Sequence, residues 1–147
     1  MLKLTRKDIC SALQVPEHRI RTWMVREPFR SRSTAARKAR TFDATDLMLL
    51  AIAQTLEDQY KLRGEGLDNV LPVLSTFLRR PQHTYAGLLF INVRDWSVED
   101  ASSDTYLEPG LLIDVLPDQE RVTRYLGLTP AQAELALGLL PMKRVKG

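Results

Sequence analysis

The sequence holds a single cysteine in 147 residues, Cys10, so no internal disulfide can form and nothing points to an oxidising compartment. Histidine is nearly as scarce, with His18 and His83 far apart in the chain. One thiol and two separated imidazoles offer no metal-ligand spacing, so neither metal nor cofactor is expected. The seven glycines build no phosphate-cradling loop, and no serine sits in a nucleophile elbow. Glu99, Asp100 and Asp104 share one acidic stretch, where clustered acids are ordinarily just solvated. These absences argue against an enzyme. No apolar run reaches the roughly 18 residues needed to span a bilayer. The opening Met1-Leu2-Lys3-Leu4-Thr5-Arg6-Lys7 meets charge at once, unlike a signal peptide. A cytoplasmic protein without membrane contact is the expectation. Internal repeats and low-complexity segments are missing too.

What is present is an ordinary globular balance, 44% hydrophobic and 27% charged, with enough chain to bury a core. The net charge of +3 is spread unevenly. Residues 1–46 carry eleven Lys/Arg against five Asp/Glu, and residues 47–147 carry ten against thirteen. Six of the basic residues, Arg26, Arg30, Arg32, Arg37, Lys38 and Arg40, fall in one short stretch. Such a stretch attracts polyanions, although a solvated basic loop would look the same by charge alone.

The elements on either side favour the polyanion. Thr5 and Asp8 have capping-box spacing, with Leu4 placed to staple onto Ile9, and the helix they open should end near Gln14. Pro16 suits the first turn of a second helix, in which Ile20, Trp23 and Met24 share one face. The opposite face carries His18, Arg21, Thr22 and Val25, with Arg19 and Arg26 on its flanks. Two short helices in direct succession, the second with an inward tryptophan and a basic outer face, have the anatomy of a helix-turn-helix whose second helix enters the major groove.

Glu27-Pro28 should stop the second helix. The alternation of basic and small residues over 29–42 predicts a hairpin, or wing, anchored at its base by Phe29 and Phe42. Asp43 and Asp46 cap a third helix running to about Tyr60, apolar almost all round from Leu47 to Ala53. Gly64 and Gly66 punctuate a loop. A fourth helix follows, capped by Asp68, with Pro72 in its first turn and Arg79-Arg80-Pro81 at its end. Tyr85–Val93 and Leu111–Leu116 read as strands, separated by a polar loop from Ser97 to Thr105. Asp118 caps a short helix ending at Gly127, and Thr129-Pro130-Ala131-Gln132 opens a last helix to about Leu140.

Residues Lys3 to about Leu74 resemble the MerR-type winged helix-turn-helix family. The resemblance rests on Leu4-Thr5-Arg6-Lys7-Asp8-Ile9, on Ile20-Arg21-Thr22-Trp23, on Arg40-Thr41-Phe42 and on Asp46-Leu47 leading a long apolar helix. It implies a homodimer bound to an operator of two-fold symmetry and acting on transcription. The pattern departs at Thr22, where members usually carry an aromatic, at Glu27-Pro28, where a Gly-Leu pair is usual, and in a wing without glycine. The family's long dimerising helix has no counterpart, and lone Cys10 gives no metal-sensing cluster.

The fold class expected is α+β, mainly helical: a DNA-binding winged helix-turn-helix over residues 1–80 and a small strand-containing region over 81–147 for self-association or regulation. Double-stranded DNA is the expected partner. The recognition-helix candidates are His18, Arg19, Arg21, Thr22 and Arg26, with Arg21 foremost because a guanidinium can meet guanine O6/N7 in a bidentate pair. The plainer reading of Arg21 is a surface salt bridge to Glu17. The wing candidates Arg30, Arg32, Arg37, Lys38 and Arg40 suit phosphate contacts, which add affinity more than discrimination. A transcriptional regulator of repressor type, from a phage or mobile element by its size, is the leading expectation. An architectural, recombination-accessory or DNA-packaging recognition protein stands second, and a protein-interaction adaptor third. Nothing singles out a small-molecule effector.

Overall fold

A computed structural model describes residues 3–32, 41–80, 87–101 and 108–127, and in it helix α1 (Arg6–Leu13) opens on its capping box. Asp8 accepts from the Thr5 amide at 2.7 Å, while its own amide donates to Thr5 Oγ1 at 3.3 Å. Gln14, in the left-handed region at φ 53°, turns the chain into α2 (Glu17–Met24). Ile9, Ala12 and Leu13 of the first helix and Ile20, Trp23 and Met24 of the second are buried, as their spacing predicts.

The hairpin expected over 29–42 is not formed at its first arm. Phe29–Arg32 is instead a short helix, α3. Glu27 is the physical reason, because its carboxylate accepts from the Ser31 amide at 3.3 Å and the Ser31 hydroxyl at 2.6 Å. The Arg30 amide meanwhile donates to the Arg26 carbonyl at 3.0 Å. These donors, which a strand would offer to a partner strand, are satisfied locally. The two aromatics are still anchors: Phe29 and Phe42 are buried and meet edge to face, 6.1 Å between ring centroids. Phe42 also exchanges both backbone hydrogen bonds with Leu4, at 2.7 and 2.8 Å. Arg37, Lys38 and Arg40 lie outside the described residues.

Helix α4 (Ala44–Asp58) starts from the expected Asp43–Asp46 box and is buried on all sides from Leu47 to Ala53. Against it packs α5 (Glu65–Leu78), which begins earlier than its sequence suggests. Gly64, at φ 58°, is the residue before the first turn, so Asp68 lies within the helix and Pro72 near its middle. Gly64 starts a helix rather than extending a loop, since its φ of 58° with ψ of −127° suits glycine and strains other residues. Pro72 has no N–H to offer the preceding turn.

Three antiparallel strands follow, β1 (Leu88–Asn92), β2 (Val98–Asp100) and β3 (Gly110–Asp114), in the order β2-β1-β3. The second lies in the acidic stretch expected as a loop. Its pairing needs only backbone groups and one inward side chain, Val98 opposite Ile91, while Glu99 and Asp100 stay exposed. Helix α6 (Leu116–Leu126) ends at Gly127 as expected, but Asp118 is buried inside its first turn instead of capping it. The helix expected from Thr129 lies outside the described residues. Leu89, Ile91, Val98, Ile113, Val115 and Val122 belong to the same core as Ile9, Trp23 and Leu50. Residue 80 therefore does not divide two cores. The chain is mixed α+β and mainly helical, with a small antiparallel sheet.

Candidate nucleic-acid interface

Trp23 fixes which way α2 faces. Its ring is fully buried and its indole N–H donates to the Glu57 carboxylate on α4. A helix held by that side turns His18, Arg21, Thr22 and Val25 to solvent, and all four are exposed. The Arg21 side chain is 67% exposed, with Glu17 Oε1 3.7 Å away one turn back. Arg6 Nη1 donates to that same Glu17 oxygen at 3.3 Å, so one carboxylate stands between two guanidinium groups. Exposed pairs of this kind contribute little and open readily. Thr22 donates its hydroxyl proton to the Arg19 carbonyl at 2.6 Å.

Arg19, Arg26 and Arg32 are tied to the protein's own acidic groups. Arg19 lies over the Trp23 ring, 5.4 Å from its centroid, and Nη1 donates to Asp58 Oδ2 at 3.2 Å. Arg26 donates to the Gly64 carbonyl at 3.0 Å and pairs with Asp68 at the start of α5. Arg32 grips Asp46 with two hydrogen bonds, 2.7 and 3.0 Å, and its guanidinium lies 5.0 Å from the centre of the Phe29 ring. Asp46 is itself buried and takes a further hydrogen bond from Arg79 at 2.7 Å. That carboxylate thereby ties α3 and the end of α5 to the start of α4. Burial acts to raise the neighbouring Asp43 carboxyl, but hydrogen bonds from Arg79 and the Asp46 amide hold it below the usual range. Arg30 stays mostly exposed, its Nε 3.3 Å from Glu27.

Sequence reasoning missed the start of α1. The turn at Gln14–Pro16 folds the first turn of α1 beside Glu17, and between them and Thr41 opens a groove of about 710 Å³. Arg6 and Lys7 line it, and Lys3 is exposed nearby in the chain. Arg6 and Lys7 belong to the motif that opens the first helix, but none of the three is a binding candidate by sequence. Their place at one helix start is legible in the sequence, but the meeting of Arg6 and Arg21 at Glu17 depends on how the two helices cross. Cys10 is half-buried on the groove wall.

The surface so formed combines cationic side chains with exposed methyl groups, a set suited to binding an anionic partner. Among the described residues no group of three or more His, Cys, Asp or Glu could hold a metal ion, and no helix is long and apolar enough to cross a membrane. Comparison with protein-family models, curated proteins and solved structures finds no match.

Proposed function

We propose that this chain is a sequence-specific regulator that binds double-stranded DNA, a transcriptional repressor acting as a homodimer. In this reading α1, the Gln14–Pro16 turn and α2 form a helix-turn-helix of the MerR-type winged class, with α2 in the major groove. The observation that supports it is the rotation of α2: Trp23 locked inward against α4 and Arg21 presented outward. An arginine so placed can reach guanine O6/N7. Arg6, which shares Glu17 with Arg21, and the exposed Lys7 and Arg30 serve the phosphates. Arg19, Arg26 and Arg32 support the reader from behind by holding α2 and α3 against the ends of α4 and α5.

A homodimer follows from the size of the reader. Eight residues of helix in one groove make few base contacts, and two half-sites multiply them. The test is selection of bound duplexes from a random pool by the full chain at physiological salt. A consensus of two symmetric half-sites is expected, and Arg21→Ala should abolish enrichment while leaving the unfolding midpoint unchanged. No enrichment, or enrichment indifferent to Arg21, would overturn the assignment.

A further inference from the structure

The outward face of α2 carries more than charge. Val25, the residue that caps the end of α2, is 66% exposed, although the opposite side of that helix buries Ile20, Trp23 and Met24. At about 100° per residue Val25 projects between Arg21 and Thr22, one turn further on. Thr22 has its hydroxyl proton committed to the Arg19 carbonyl at 2.6 Å. Two methyl-bearing side chains thus stand beside an exposed guanidinium.

Resting on the DNA-binding reading, we propose that Val25 and the Thr22 methyl group read thymine C5-methyl groups in the major groove, beside the guanine met by Arg21. A protein partner's hydrophobic centre calls for a contiguous apolar patch, whereas Val25 shares its exposed face, by helical spacing, with the polar His18, Arg21 and Thr22. A duplex edge presents the matching mixture, single methyls set among hydrogen-bond acceptors. The half-site this face selects is one in which thymine adjoins guanine. Each buried methyl contributes about fourfold in affinity, from about 0.8 kcal/mol per methyl-sized group.

The experiment uses the full-length chain and the duplexes it enriches from a random pool. Each thymine is replaced in turn by uracil, which deletes only the C5-methyl. Wild-type protein is expected to lose affinity about fourfold at one or two positions next to a guanine. Val25→Ala and Thr22→Ser, both at exposed positions, should each bind the thymine and uracil duplexes equally at one of those positions. Thr22→Ser keeps the hydroxyl that bonds the Arg19 carbonyl, so loss of that bond does not confuse the result. If uracil is neutral everywhere, or its effect survives undiminished in both variants, methyl reading is overturned while DNA binding stands. If no duplex is enriched at all, the DNA-binding reading falls and this inference falls with it.

Discussion

Asp118 makes a demand on stability that can be measured against pH. Its carboxyl is buried at the start of α6, where Oδ1 accepts from Thr55 at 2.6 Å and from Arg121 at 2.9 Å. Oδ2 is buried too and meets no donor among the described residues. Arg121 extends the contact to the Gln54 side chain at 2.6 Å and the Ala51 carbonyl at 3.3 Å. Gln54 in turn donates to the Leu13 carbonyl at 3.2 Å, so one chain of polar contacts joins α6 to α4 and α1. Burial wins over the Thr55 and Arg121 contacts, and nearby Asp114 adds repulsion, so the carboxyl is pushed up to about 6 from its ordinary 3.8. An acid whose folded pKa is raised holds its proton longer folded than unfolded. Its contribution is therefore most favourable below the unfolded value and is lost as pH rises through about 6. A displacement of that size corresponds to roughly 3 kcal/mol. Other carboxyls, among them Asp8 and Asp43, are lowered and slope the opposite way, so the wild-type curve alone does not isolate the effect. Asp118→Asn does. The amide keeps an oxygen for Thr55 and Arg121, and its unpartnered N–H₂ costs roughly 1–3 kcal/mol independently of pH. Urea unfolding from pH 4 to pH 7.5 should show the variant gaining on wild type by roughly 2–3 kcal/mol across the window. Parallel curves, or a gap that closes as pH rises, would refute the argument.

Asp46→Ala should cost roughly 2–3 kcal/mol in the same assay, since it deprives Arg32, Arg79 and the Asp43 amide of their shared acceptor; a loss under about 1 kcal/mol would count against that clamp. Gly110→Ala should destabilise by roughly 1–3 kcal/mol, because a Cβ there would collide with the Phe90 ring and the Ile91 carbonyl. In DNA titrations against salt, Lys7→Ala should flatten the slope by about 0.9, whereas Arg19→Ala should lower the unfolding midpoint and leave the slope alone.

What could be read from the sequence divides by the range of the interaction responsible. Both capping boxes, the end of α1 near Gln14, the inward Trp23 and the all-round burial of α4 depend on residues within a turn or two of each other, and local pattern exposes them. The failures came from competition between nearby options. Glu27 supplies acceptors that make a helical turn of 29–32, where a pattern of alternating small and basic residues suggested a strand. Gly64 looked like loop punctuation, yet its positive φ is what lets α5 begin. The β2 strand has one apolar residue to announce it, and its hairpin pairing with β1 runs through backbone groups that no side-chain pattern reveals. Asp118 resembled a cap because a buried carboxylate and a capping carboxylate look alike until Thr55 and Arg121 are seen to close on it.

The uneven distribution of charge along the chain looked like a field aimed outward, but folding dismantles part of it. Arg19 and Arg26, in the basic first third, close on Asp58 and Asp68 from the acidic remainder, and Arg32 closes on Asp46. Linear charge asymmetry is thus partly an internal matter, with cations and anions of different segments meeting across α4 and α5. A polyanion can recruit only those cations whose partners release them cheaply. Arg21 meets that condition: it is two-thirds exposed and shares Glu17 with Arg6, so when it leaves, the carboxylate keeps a partner. Arg19 does not, because moving it would uncover the Trp23 ring as well as Asp58. Any surface offered to a polyanion is therefore defined by which arginines lack a costly internal tie, and burial and geometry select them where counting charges cannot.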